Sequence, residues 1–536
     1  MNFPLQRFTH LMKPLSLSRL LGFSLLAAAS AIADDGVLKP DAFKSYVDTF
    51  NADDNELYKQ KYPNATAWDF LKDNIPLFDC PDKELEKTYY FRWWTYRKHI
   101  RETPDGYVVT EFLPDVPWAS KYNTIPCPAA HHFYEGRWLK DAKILDDYGV
   151  FWFRKGGEPR KYSFWAADAI WARYLATGDP AQAKELLPDL VKNYEGWEQS
   201  KRDPGSFFWQ YDNDDGMEVA IGGTGYRPTI NSYMYGDAKA LVKIAGLADN
   251  KDIASRFEKD AAAIKGFVQG TLWDKEAKFF KVVRRDKTPV ALQDMKVVDV
   301  REQLGYTPWY FNLPDPGYEI AWKELMDPKG FKAPFGPTVA EQRHPQFAVK
   351  YDGHECQWNG PSWPLSTSIT LTAMANVLNN YKQTVVTKAD YLETLQIYSN
   401  SHRRKLEDGK VVPWIDENLN PFTGDWISRT LLIQRNHKPA ERGKDYNHST
   451  FNDLIITGLV GLRPRADNVV EVNPLVPDGK WDYFCLDRIP YHGKSLTIIW
   501  DKTGEKYGKG AGLRVLADGK VIASGAKLTK IEGKLP

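Results

Sequence analysis

Apolar positions recur at helical spacing through the middle of the chain. In 254–268, Phe257, Ala261, Ile264 and Val268 fall at i, i+4, i+7 and i+11, the stripe that one face of an α-helix buries. In 161–176, Trp165, Ala167, Trp171 and Tyr174 lie near the same spacing, and Gly178-Asp179-Pro180 stops the run. Similar patterns predict helices at 181–198, 232–247, 317–326, 363–381, 388–402 and 448–462, and from Pro81 a helical run leads through Lys83–Lys87 into Tyr89–Trp94. Long loops rich in Gly, Pro, Asp and Trp separate them, with a short strand pair predicted around Leu272-Trp273 and Phe279–Val283. After about residue 465 the period changes to that of strands: Val469–Val472, Ser495–Trp500 and Leu513–Leu516 are β-rich. Ala517-Asp518-Gly519-Lys520 before Val521–Ala523 reads as a hairpin, because Asp-Gly suits the primed turns. Many helices joined by such loops predict a helical bundle or toroid with its site on the loop face, followed by a small antiparallel β domain.

The ends of the pattern set the domain limits. Arg7, Lys13 and Arg19 precede an apolar run, Leu20–Ala29, and Ala31-Ile32-Ala33 follows, the layout of a signal peptide cleaved after Ala33. The run is shorter than the roughly 20 apolar residues of a membrane span, so no span is expected in the mature protein, which is expected to be periplasmic or secreted. The expected divisions are a signal peptide at 1–33, a mixed polar extension at 34–80, a helical body at 81–465 and a β-sandwich-like domain at 466–536. With 71 basic and 70 acidic residues and no long basic block, nucleic acid is not the expected partner. The 19 Trp, 28 Tyr and 26 Phe supply cores, and also flat apolar faces on which sugar rings pack. Of Cys80, Cys127, Cys356 and Cys485, the expected disulfide in an exported chain is Cys80–Cys127, and no zinc spacing is present.

Three segments carry chemistry. Trp209-Gln-Tyr-Asp212-Asn-Asp214-Asp215-Gly216 and Trp414-Ile-Asp416-Glu417-Asn-Leu-Asn420-Pro421-Phe-Thr-Gly424 each put acidic residues beside a tryptophan, about two hundred positions apart. A lone acidic turn is usually a surface turn. Two of them beside tryptophans match the paired carboxyls that cleave a glycosidic bond, one protonating the leaving oxygen and the other activating water or attacking the sugar. Between them, His354-Glu355-Cys356-Gln357-Trp358-Asn-Gly360-Pro361-Ser-Trp363-Pro364 offers a fixed bend, flat rings and hydrogen-bonding groups.

At these residues the chain resembles the helical-toroid glycoside hydrolases, above all glycoside hydrolase family 63 and its mannosylglycerate-hydrolase-like relatives. The likeness rests on a Trp five positions before an Asp (Trp209 and Asp214-Asp215), a W-x-G-P-x-W block (Trp358–Trp363) and an E-N-x-N-P-x-T-G block (Glu417–Gly424), and covers roughly 85–465. Where the family has W-x-S-G-x-D, this chain has Trp-Gln-Tyr-Asp-Asn-Asp. The resemblance implies a mainly α (α/α)6 toroid of the six-hairpin glycosidase type with an inverting mechanism. It puts the general acid on Asp214, with Asp212 and Asp215 as alternatives in the same turn, and the general base on Glu417.

The expected activity is that of an exo-acting hydrolase of an oligosaccharide or small glycoside, an α-glucoside or α-mannoside by resemblance, needing no cofactor and no metal. Trp209, Trp358, Trp363 and Trp414 would wall the pocket. Asp215, Arg227, Glu355 and Gln357 would bind the substrate, Arg227 and Gln357 holding hydroxyls or an acidic group. Two rival classes remain: a helical-toroid polysaccharide lyase using Tyr446 and His448, and a non-catalytic sugar-binding protein.

Overall fold

A computed structural model describes residues 36–203 and 207–536. The signal peptide expected at 1–33 lies outside the described residues. Helices start where the chain supplies acceptors for their orphan N–H groups. Asp82 caps Lys83–Lys98 by accepting from Leu85 N at 3.1 Å, with Glu84 and Glu86 in the first turn and Arg97 and Lys98 in the last. Thr387 and Asp390 form a capping box before Lys388–Ser401.

Burial divides the helices into two kinds. Lys251–Phe267 buries one stripe, Phe257, Ala261, Ile264 and Phe267, and leaves the rest to water. Its partner Pro228–Leu247 is buried nearly all round, as is Pro364–Asn380. The fully buried kind form a closed succession. Ala129–Gly136 packs on Ala166–Thr177, that on Pro228–Leu247, then Thr307–Tyr310, Pro364–Asn380 and Leu454–Leu459. The last returns to the first through polar contacts. The Glu135 carboxylate accepts the backbone N–H groups of Phe451, Asn452 and Asp453, at 2.8 and 2.9 Å for the latter two. Arg137 and Trp138 in turn donate to Asp453 Oδ1, each at 2.7 Å.

The predicted helices at 161–176, 181–198, 232–247, 254–268, 363–381 and 388–402 coincide with observed ones to within a turn or so at each end. Two differ. Residues 317–326 form a tighter 3-10 helix, Glu319–Met326. The helix expected over 448–462 is cut to Leu454–Leu459, because the preceding amides are committed to Glu135 and the Ser449 carbonyl to Arg92. Helices Lys44–Ala52, Ala67–Asn74, Ala129–Gly136, Lys143–Arg154 and Ile427–Gln434 were not evident from periodicity.

The C-terminal region holds a five-stranded antiparallel sheet in the order Leu77–Asp79, Tyr483–Tyr491, Lys494–Asp501, Gly512–Ala517, Lys520–Gly525, beside a three-stranded one. Its first strand comes from the N-terminal extension, pairing Leu77 with Asp487 and Asp79 with Cys485. In the predicted hairpin, Asp518 and Gly519 both have positive φ (47° and 77°), as a type I′ turn requires. The expected Cys80–Cys127 disulfide is corrected: all four cysteines are free thiols. The Cys80 thiol donates to the Asp82 carbonyl, while Cys127 sits in the wall of a distant cavity.

Glu135→Ala removes the acceptor for three buried backbone donors at once. Each orphaned donor costs about 1–3 kcal/mol, so urea or thermal unfolding of this variant should show a loss of about 3 kcal/mol or more. A melting temperature equal to that of the unaltered protein would mean that the first and last of these helices are joined by other contacts.

Candidate active site

A cavity of about 260 Å³ opens among the loops, lined by residues in or next to all three chemical segments, by Tyr162, and by the stretches 111–127 and 442–448. Its acidic members are Glu111, Glu218, Glu355 and Glu417, and its rings include Trp118, Tyr162, Trp363 and Tyr446.

The three segments are stitched to one another by backbone. Ser362 and Leu419 exchange N–H···O bonds, both at 3.0 Å, joining the W-x-G-P-x-W and E-N-x-N-P-x-T-G blocks. The Asn418 amide donates to the Glu355 carbonyl at 2.8 Å, and Trp358 N donates to the Glu218 carbonyl at 3.0 Å. The motif residues have local reasons. The Asn420 side chain accepts from Phe422 N at 3.0 Å and forms an Asx turn, and Gly424 has φ +76°. A Cβ on Gly360 would lie 2.1 Å from the Ala348 carbonyl oxygen, so only glycine fits that bend.

Glu417 is 1% exposed and held at both oxygens. Arg442 donates to Oε1 from Nε and Nη2 at 3.2 and 3.1 Å, and the Cys356 thiol donates to Oε2 at 3.1 Å. Its backbone N–H is anchored by Asp416, which is itself paired with Arg429 at 2.9 Å. The ion pair with Arg442 is made by the carboxylate, the form a base requires.

Glu218 is held quite differently. Among the described residues no cation pairs with its carboxyl and no neighbouring side chain hydrogen-bonds to it. Burial pushes it up to about 7, helped by the nearby charge of Glu417 and by Asp212 and Asp214. The next residue, Val219, has φ +67°, a conformation rare for a β-branched side chain. Strain of this kind collects at functional sites, and here it sits beside an acidic side chain that has no cation partner among the described residues. Glu218 lies two positions beyond the Trp-Gln-Tyr-Asp-Asn-Asp-Asp-Gly segment, and sequence reasoning passed over it. The available signal was the Gly-x-acid spacing, kept in Gly216-Met217-Glu218, rather than the distance from Trp209.

Asp214 is not among the residues of the cavity wall. Its side chain is 32% exposed and faces Lys201 at 3.5 Å, and Lys201 lies over the Trp209 and Tyr211 rings at 4.5 and 4.2 Å. Asp215 and Arg227 are also elsewhere. Both side chains are 0% exposed and pair with each other at 2.7 Å, Asp215 also taking the Thr229 hydroxyl at the start of Pro228–Leu247. Arg227 is therefore spent on the protein rather than offered to a ligand. Trp209 packs under Arg285 at 3.9 Å, and Trp414 donates to Asp416 at 3.2 Å. Trp358 stacks behind Trp363 at 4.4 Å, and only Trp363 reaches the wall. Gln357 braces its own loop through Lys350 and His354. Glu355 lines the cavity, paired with Arg435 at 2.9 Å. Glu111 and Arg442 also line the wall and were not foreseen, while Cys356 belongs to the third segment and Tyr446 had been weighed only for the lyase alternative.

The mannosylglycerate hydrolase MGH1-like glycoside hydrolase domain matches residues 121–449, more than half of the chain. The chain belongs to that glycoside hydrolase family. That membership supports glycosidase activity over the lyase and non-catalytic readings. A glycosyl hydrolase family 65 C-terminal domain matches 462–523, within the β region. A solved structure named sialidase is 44% identical over 92% of this chain, with a TM-score of 0.85, and this chain spans only 45% of its length. A GH63 mannosylglycerate hydrolase from Thermus thermophilus in complex with glucose is 13% identical over 65% of this chain and 98% of its own, with a TM-score of 0.47. Among the described residues no helix is long and apolar enough to cross a membrane, and no group of three or more His, Cys, Asp or Glu could hold a metal ion.

Breaking the Asp215–Arg227 pair leaves one buried charge uncompensated, at about 3–5 kcal/mol. Arg227→Ala should therefore unfold at lower urea, while the fraction that remains folded binds sugar as before. Normal stability with lost sugar binding would return Arg227 to the substrate.

Proposed function

We propose that this glycosidase is an exported, exo-acting, inverting enzyme of the (α/α)6 type, with Glu218 as general acid and Glu417 as general base. The observation that carries this reading is the contrast between the two carboxyls on one cavity wall: Glu417 is ion-paired as a carboxylate, and Glu218 is unpaired and pushed up to about 7. Environments that separate two carboxyls in this way assign the acid and the base. Glu218 gives its proton to the glycosidic oxygen as the bond to the anomeric carbon breaks. Glu417 takes a proton from the water that attacks that carbon from the other face, and the products are the hemiacetal and the free alcohol.

The toroid is supported by the alternation along the chain of buried helices with amphipathic ones and by the closed succession of the former. Exo action is supported by the size of the cavity, below the roughly 300–1,000 Å³ of common ligand pockets, which suits one sugar residue. An α-linkage is what the family resemblance implies. The sialidase name of the similar structure does not settle the sugar, since this chain spans less than half of that protein. Export rests on the Leu20–Ala33 pattern.

Glu218→Gln and Glu417→Gln should each lower kcat by at least about 10²–10⁴-fold on an unactivated glycoside, and Asp214→Asn should lower it far less. Because Glu218 must carry its proton to act as an acid, kcat/KM should fall as pH rises through about 7. Proton NMR of the first turnovers should show product of the opposite anomeric configuration, with carboxyls about 6.5–9.5 Å apart in a substrate complex. Retention of configuration, or full activity in Glu218→Gln, would overturn the assignment.

A further inference from the structure

The charges and hydrogen-bonding groups on the cavity wall select a class of sugar. Among the described residues the wall carries four acidic side chains, Glu111, Glu218, Glu355 and Glu417, and a single fixed cation, Arg442. That cation is already engaged. It reaches Glu417 at 3.1 Å and Glu355 at 3.9 Å, and its guanidinium lies 5.2 Å from the centre of the Trp118 ring. A sugar carboxylate entering here would have to shed its water with no free cation to receive it, beside two carboxylates of the protein. Drawing Arg442 away would strip Glu417 of its partner.

The remaining wall is made of groups that pair with hydroxyls. The Tyr446 hydroxyl donates to Glu111 Oε1, and the other Glu111 oxygen takes no hydrogen bond among the described residues. Burial, with the charges of Glu417 and Glu218 adding to it, pushes Glu111 up to about 8, so near neutral pH it is an uncharged acid that can donate. His448 is 1% exposed and borders the same cavity, with both ring nitrogens buried and without a hydrogen-bond partner among the described residues. Burial holds it well below the usual imidazole range, so it adds a neutral ring and no charge to the wall. Its ring lies 3.7 Å from that of Tyr446, whose hydroxyl is bonded to Glu111.

We propose that the cavity accepts an uncharged sugar whose hydroxyls are read by Glu111 and Tyr446, and that it rejects sugars bearing a carboxylate. This rests on the cavity being the site that holds the cleaved sugar. Glu111 lies outside the 121–449 stretch matched by the family, so it is a specificity-determining residue that family membership does not assign.

The test uses the mature protein carrying Glu218→Gln, titrated by calorimetry with D-glucose, D-mannose, L-rhamnose, D-xylose and L-arabinose, and separately with D-glucuronate, D-galacturonate and N-acetylneuraminate. At least one neutral sugar should bind at least about tenfold more tightly than any of the acids. Adding Glu111→Ala should weaken that sugar by about tenfold at an unchanged melting temperature, and Glu111→Gln, which keeps a neutral donor and acceptor, should restore most of it. A sugar acid binding as well as the best neutral sugar, no neutral sugar binding at all, or full affinity in a folded Glu111→Ala protein would each overturn the proposal. Failure of the catalytic reading is seen separately. It would appear as normal turnover by Glu417→Gln, whatever the selectivity.

Discussion

The closure of the helical succession by Glu135 is the constraint on which the site depends. One carboxylate takes three consecutive backbone N–H groups at 451–453, and the neighbouring Arg137 and Trp138 take the Asp453 side chain. That contact joins residues more than three hundred positions apart and fixes where the chain runs just before it, at 446–450. Tyr446 and His448 are therefore delivered to the cavity by the same interaction that ends the ring. A rigid, buried scaffold under the loops lets the loops themselves remain irregular, and chemistry on such loops is common where the frame beneath is stiff.

Within that frame the two acids differ in how they are held. Glu417 sits on a segment tied down by Asp416, Arg429, Ser362 and Asn418, and its own oxygens are taken by Arg442 and Cys356. Glu218 is fixed mainly through its backbone, by Trp358 and by the unusual φ at Val219, while its carboxyl is left without a cation. Fixing the main chain while leaving the carboxyl free suits a group that must lose and regain a proton each turnover. The Asp215–Arg227 pair nearby contributes position rather than chemistry: it anchors the turn from which Glu218 emerges to the start of Pro228–Leu247.

Much of this was legible in the sequence. Helical periodicity located the long helices and the change to strands after 465, because burial on one face leaves a repeating mark. It missed Ala129–Gly136 and Lys143–Arg154, whose patterns are short, and the strand Leu77–Asp79, whose partner lies some four hundred residues away. Of the residues that the motif blocks singled out, Glu355, Trp363 and Glu417 are on the cavity wall. Asp214, Asp215 and Arg227 are not, because acidic residues crowded in one turn look alike in sequence and only the fold decides which is paired and which is free. Glu111 and Arg442 carried no motif at all; they matter through neighbours that the fold alone supplies.

The central claim is that Glu218, and not Asp214, protonates the departing oxygen. Its most direct measurement is the dependence of kcat/KM on the leaving group, using aryl glycosides of graded phenol acidity with Glu218→Gln and Asp214→Asn. A missing acid matters little when the leaving group departs without a proton and greatly when it does not. Glu218→Gln should approach the unaltered protein on a dinitrophenyl glycoside and fall steeply as the phenol becomes less acidic, while Asp214→Asn keeps the original shallow dependence. The steep dependence appearing in Asp214→Asn instead, or in neither variant, would contradict the assignment.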